Sequence, residues 1–201
     1  GQARLLYTFA GEAEGKGRTE DQLAYFRDET VYTNLLIVEL PRGDFAFTMA
    51  RQLLWSAFMH PYYVALARST NADLAGIGAK AEKEMAYHVR HSAEWVIRLG
   101  DGTADSRRRI DAAFDDLWGY TGEMFEMDAA ETRLAAKSIA PDRSALRSTW
   151  DTTIDKVLRT ATLERPRDRV MQMGGRKSHH TEHLGHMLAE MQVLARAHPE
   201  A

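Results

Sequence analysis

The chain has 201 residues, 44% hydrophobic and 27% charged, with a formal net charge of −3. These totals suit one ordinary folded domain over residues 1–201, and so mild an acidity gives no reason to expect nucleic acid or an anionic membrane as partner. The absence of cysteine excludes disulfides, thiolate metal sites and cysteine nucleophiles together; no apolar run approaches the roughly 20 residues of a membrane span, and a cytoplasmic location is expected.

The chain opens at Gly1-Gln2-Ala3-Arg4-Leu5-Leu6, already in a helical pattern and without an initiator Met or a capping residue. Upstream residues are therefore expected to be missing from this numbering. The opening helix is expected to end near Gly11, with a polar, glycine-rich loop to Arg18. Thr19 followed by Glu20 and Asp21 suits a helix start. Residues 31–40 (VYTNLLIVEL) are β-branched and apolar but have no strand partner, so they read as a short helix or irregular packing segment, broken at Pro41.

Asp44 caps a long helix to about Thr70, with Phe45, Met49, Gln52, Ser56, Met59 and Tyr63 on one face and a kink expected at Pro61. Asn71-Ala72-Asp73 turns into the helix around which the chain is organised. Over residues 80–99, Ala81, Met85, His88, Ser92, Trp95, Val96 and Leu99 share one face, and Lys83, Arg90, Glu94 and Arg98 the other. Gly100 and Gly102 end it. Thr103 caps a helix to about Met127, with Ile110, Phe114, Leu117, Trp118, Thr121 and Phe125 inward. After a break at Pro141, residues 144–160 are helical with Leu146, Trp150, Ile154 and Val157 on one face; residues 163–175 read as a surface loop; a last helix runs from about His180 to Ala197. Long helices, short turns and no internal repeat argue for an all-α bundle.

His88, with Glu84 one turn earlier, is either a metal ligand or a core histidine in a local ion pair. A di-iron bundle uses two Glu-x-x-His motifs and two more carboxylates. Three residues before His88 stands Met85, a soft neutral donor. The preceding helix offers Gln52 and Ser56 inward, and its one acid, Asp44, sits at its end. The opening segment shows Gln2 and no inward acid. Iron without carboxylates would leave positive charge uncompensated in the core. A second stripe, His179, His183, His186 and Glu190, has spacing that can hold Zn²⁺ or Ni²⁺. The opposite face, Leu184, Met187, Leu188, Met191 and Leu194, is expected to be buried, which turns the stripe toward solvent or a partner. The clusters Arg107–Arg109 and Arg165–Arg169 are solvated faces or contacts for a phosphate or an acidic partner.

Four stretches carry a family resemblance: residues 1–4 (GQAR); Arg27-Asp28-Glu29 with residues 34–40; residues 83–88 continuing through 98–103; and Gly174-Gly175-Arg176 with residues 180–185 and 188–192. In them the chain resembles the structural, PaaC-type subunits of bacterial phenylacetyl-CoA 1,2-epoxidases. The resemblance implies a ferritin-like four-helix bundle with additional helices, normally preceded by a further helical region. It implies a hetero-oligomer in which a sister subunit of the same fold carries the di-iron centre, and a flavin/iron–sulfur reductase passes electrons from NADPH. That complex adds one oxygen atom of O₂ to the ring of phenylacetyl-CoA. Subunits of the present type support the iron-bearing one and are not themselves catalytic. Laid on this chain, the sister's last Glu-x-x-His falls on Met85 to His88, its first ends at Gln2, and its third-helix carboxylate falls at Ser56. Gln2, Ser56, Met85 and His88 are then a vestigial metal site, with no catalytic residue and no cofactor in this chain. The alternative is a self-contained di-iron oxygenase using Glu84 and His88.

Overall fold

The computed structural model describes residues 1–167 and 169–199. Among them are eight α-helices and no strand, so the chain is all-α, as a ferritin-like helical bundle requires. In order they are α1 (Gln2–Glu14), α2 (Glu20–Tyr25), α3 (Phe45–Leu66), α4 (Ala72–Gly100), α5 (Ala104–Trp118), α6 (Ala129–Ala136), α7 (Arg147–Thr160) and α8 (Glu182–Ala197). No helix among the described residues is long and apolar enough to cross a membrane. The chain forms two compact units: Gly1–Pro41 with Met173–Ala201, and Arg42–Gln172.

In the first unit, α1 packs on α2 and α2 on α8. Gly11 does not end α1. It lies buried inside the helix, where a Cβ would run into the Arg18 carbonyl, so its smallness serves a close approach and not a break. The helix ends instead at Gly15, left-handed at φ 68°, whose N–H donates to the Gly11 and Glu12 carbonyls. Thr19 forms a reciprocal capping box with Gln22 at the start of α2. The ambiguous 31–40 stretch is irregular: two single 3₁₀ turns, Glu29–Val31 and Leu36–Val38, bury Leu35, Leu36 and Ile37.

The second unit is built around α3, which packs against α4, α5 and α7. With neighbours on several sides, α3 buries Ala50, Leu53, Leu54, Ala57 and Phe58 as well as Met49, Ser56 and Tyr63. The single inward stripe read from its sequence is therefore too narrow, and Phe45, placed in that stripe, is half-exposed. The helix stops at Leu66, short of Thr70, and runs uninterrupted through Pro61. Asp44 and Asn71 cap α3 and α4 through Phe47 N and Leu74 N. A Cβ on Gly78 would meet Ala67 N at 2.5 Å, which fixes how closely α4 passes the end of α3.

α5 ends at Trp118 and does not reach Met127: Thr121 turns its hydroxyl back onto the Trp118 carbonyl, and a 3₁₀ turn, Gly122–Phe125, follows. The sequence reading missed α6, which is announced by a polar signal, the Asp128–Glu131 capping box, and not by an apolar face. In α7, fully buried Trp150 donates Nε1–H to the Leu54 carbonyl at 2.9 Å and lies 5.6 Å from Trp118 and 5.5 Å from Phe125. The Arg165 guanidinium covers Trp118 at 4.9 Å while pairing with Asp151 and Asp155. All four tryptophans, Trp55, Trp95, Trp118 and Trp150, belong to this unit. Asp168, inside the basic run 165–169, lies outside the described residues.

Candidate functional site

The sequence places Ser56 and Met85 on facing helices, and the structure puts both inside the α3–α4 pair. Ser56 has no exposure at all; its Oγ lies 3.5 Å from Ser92 Oγ and 3.5 Å from the Leu53 carbonyl. Ser92, on the inward face of α4 but not read as part of the site, donates to the His88 carbonyl at 2.6 Å. These two hydroxyls satisfy one another and the backbone of their own helices. Met85 is buried with Tyr63, Leu66 and Ala81, against Met59, Tyr62 and Leu74. Burial, with Tyr62 and then Glu84 adding to it, pushes the Tyr63 phenol up to about 12.

The His88 ring is less interior than its helical phase suggests: about a third of the side chain is exposed, and Nε2 lies 3.9 Å from Glu84 Oε1. So the seam of this unit holds two hydroxyls, a thioether and a phenol, with one carboxylate–imidazole pair at its border. Gln2 lies in the first turn of α1, in the other unit. Among the described residues no three of His, Asp or Glu converge on a point where a metal ion could sit.

The last helix starts at Glu182, two residues later than expected, because Thr181 is its cap. His179 and His180 thus precede it. His179 and His186 are exposed and His183 half-buried. The opposite face is only partly covered: Leu184 and Leu188 are buried, whereas Met187, Met191 and Leu194 are exposed, contrary to the sequence expectation. The reason is geometric, since α2 and the 28–32 turn reach only the side of α8 that carries Leu184, Leu188 and Gln192.

Most arginines of the two clusters are engaged within the chain. Arg107 donates to Thr162 Oγ1 at 2.7 Å, Arg108 and Arg109 pair with Asp105 at 2.5 and 2.7 Å, and Arg109 also reaches Asp44 at 3.2 Å. Arg169 pairs with Asp115 at 3.0 Å.

What the sequence reading missed is a buried carboxylate. Glu39 is 2% exposed. Its Oε1 accepts from Asn34 Nδ2 and faces His180 Nδ1, both at 2.7 Å; its Oε2 accepts from Thr181 N at 2.7 Å and Thr181 Oγ1 at 2.8 Å. The Thr181 hydroxyl in turn accepts from His183 N, so the carboxylate orients the cap of α8. His180 Nε2 faces the Tyr32 carbonyl at 3.0 Å. Beside this network, Arg27 lies over the Tyr32 ring at 4.2 Å, and Gln192 donates to the Arg27 carbonyl at 2.9 Å. Asn34 N donates to the Gly175 carbonyl at 3.2 Å, and a Cβ on Gly175 would run into the Asn34 oxygen. Residues 27–29, 34–40, 174–176, 180–185 and 188–192, remote in sequence, are therefore one packed cluster. The only early signal was a glutamate closing the apolar run 35–38.

Two comparisons bear on this geometry. A family described as phenylacetic acid catabolic protein matches residues 1–201. The chain is 43% identical over 199 residues to one of the subunits of 1,2-phenylacetyl-CoA epoxidase of Escherichia coli (strain K12), across 99% of this chain and 80% of that protein.

Proposed function

The chain belongs to the phenylacetic acid catabolic protein family, and from that premise we propose that it is a non-catalytic, structural subunit of a phenylacetyl-CoA epoxidase. In this reading it pairs with a companion subunit of the same fold that carries the di-iron centre, and it holds no iron pair itself. A reductase component delivers electrons to the companion, and this chain helps to complete the acyl-CoA site. Its Escherichia coli relative is named as one subunit of such an epoxidase, which supports a place in a multi-subunit assembly.

The observation that carries the non-catalytic part is the donor chemistry of the α3–α4 seam. Two irons in a helical bundle call for four carboxylates and two imidazoles on inward faces. Here Ser56, Ser92 and Met85 stand inward, hydroxyls bonded to each other and to backbone, and a thioether among aromatic rings. Such donors do not fit an iron pair: they bring no negative charge into a low-dielectric interior, and a thioether is too soft for it. The Glu84–His88 contact supplies one carboxylate and one imidazole, partly in solvent.

Iron content tests the reading. Protein expressed alone in iron-rich medium and stripped of loosely held metal is expected to carry less than about 0.1 iron per chain, and to support turnover only with the iron-bearing subunit present. About two irons per chain would overturn it and select the self-contained oxygenase, with Glu84 and His88 among the ligands.

A further inference from the structure

The segment that leads into α8 is held by polar contacts whose geometry fixes how many protons they need. It enters through Ser178, left-handed at φ 60°, a conformation that serine seldom adopts. From there the Ser178 hydroxyl donates to the Tyr32 carbonyl at 2.9 Å. His180 Nε2 lies 3.0 Å from the same oxygen. A carbonyl oxygen has two lone pairs and no hydrogen to give, so both partners are donors and Nε2 carries a hydrogen.

That leaves Nδ1, 2.7 Å from Glu39 Oε1, where the Glu39 side chain is 0% and the His180 side chain 8% exposed. Two bare lone pairs do not face each other at hydrogen-bond distance where water cannot intervene. A second proton therefore lies between them. The remaining contacts of Glu39 say which side holds it. Oε1 also accepts from Asn34 Nδ2, and Oε2 accepts from Thr181 N and Oγ1, a set of donors that suits a carboxylate. The ring is then an imidazolium, bonded at both nitrogens.

Charged and titratable groups approach from each neighbouring element. Residues 36–39 bring Glu39, and the turn before them brings Tyr32, whose ring is covered by Arg27 at 4.2 Å. The Gly175–Lys177 turn carries Arg176 and exposed Lys177; on the ring's own segment His179 and Glu182 are exposed and His183 is half-buried. Among the described residues Glu39 is the charged group in contact with the ring. Without the second proton the ring has one N–H for two acceptors and must give up Tyr32 or Glu39. Either loss frees the residue before Thr181, the cap of α8, which hangs on the same carboxylate.

We infer that a proton held between Glu39 and His180, in addition to the one on Nε2, is the fastener of the start of α8: this helix docks with the proton and loosens when the proton is withdrawn.

The test uses the whole chain, with ¹⁵N in the histidine rings and ¹³C in the glutamate carboxyls. At neutral pH, His180 is expected to show hydrogen on both ring nitrogens and Glu39 an ionised carboxylate. Glu39→Gln should leave hydrogen on Nε2 only. Amide exchange, corrected for the intrinsic rate, is then followed as the pH is raised. Protection over residues 181–185 should fall at least about tenfold as the doubly protonated signal of His180 disappears, while α3 holds. His180→Asn keeps a donor toward Glu39 that does not titrate, so its protection should start below the parent's and stay level over the same range. One hydrogen on His180 beside a protonated Glu39 in the parent would overturn the proposal, as would protection that survives loss of the second proton. A fall that persists in His180→Asn would assign the response to His179 or His183 and overturn it too. The parent's own two signals decide the matter even if the asparagine variant does not fold.

Discussion

Replacing Glu39 separates two physical contributions that a single deletion would merge. Glu39→Leu keeps the side-chain volume but leaves four donors facing an apolar group: Asn34 Nδ2, His180 Nδ1, Thr181 N and Thr181 Oγ1. At about 1 kcal/mol for each buried donor left unsatisfied, the loss is about 4 kcal/mol. Glu39→Gln should cost far less, about 1 kcal/mol, for a reason specific to this site. The Asn34 Oδ1 atom is buried and has no hydrogen-bond partner among the described residues. If the new glutamine turns its NH₂ toward Asn34 and His180, a flip of the Asn34 amide presents that oxygen as an acceptor, and the His180 ring accepts at Nδ1 while donating from Nε2 to Tyr32. The glutamine oxygen then keeps both Thr181 donors. Urea unfolding followed by far-UV circular dichroism gives the two free energies, and amide exchange locates them. Protection should fall in α8 and residues 34–40 for the leucine variant and hold in α3 to α5. Equal losses for the two variants, or a leucine variant within about 0.5 kcal/mol of the parent, would refute the account of Glu39 as the acceptor that fastens the start of α8.

Three further outcomes are expected. Ser56→Glu places an uncompensated carboxylate at a position with no exposure, and should cost about 3–5 kcal/mol in the same unfolding assay; a variant as stable as the parent would show that water reaches the α3–α4 seam. Asp44→Ala removes the cap of α3 and should cost about 1 kcal/mol at neutral pH. The Phe47 N–H, and then Arg109, hold the Asp44 carboxyl below its ordinary value of 3.8. A depressed folded value stabilises above the unfolded one, so the difference between variant and parent should be complete above that pH and shrink as pH falls through the lowered folded value. Tyr63 gives the opposite limb: its phenol is raised from 10.0 to about 12, so its contribution is complete below pH 10 and is lost as pH rises toward 12. Absorbance at about 295 nm should show a late tyrosine ionisation step, and Tyr63→Phe should abolish that step.

Helix starts were legible because their signals are local: Thr19, Asp44, Asn71 and Thr103 each cap the helix that follows by accepting from a backbone N–H three residues on. Ends were harder. Gly11 looked like a terminus, but its smallness answers to Arg18, a contact invisible to a local reading. α5 was run on through Thr121 and Phe125 because both keep the helical phase after the chain has left the helix. At the candidate site, the inward places of Ser56 and Met85 followed from periodicity, since each lies in a long helix. The Glu39–His180 contact could not follow from it, because the partners are 141 residues apart and neither lies in an α-helix.

The confinement of every tryptophan to one unit has an optical consequence. Light absorbed near 295 nm excites only residues between Arg42 and Gln172, so all of the emission originates there. The helices α1, α2 and α8 carry no tryptophan, so excitation at that wavelength draws no emission from them. One tryptophan introduced at Tyr25 would give the silent third of the molecule its own lamp, set at the end of α2.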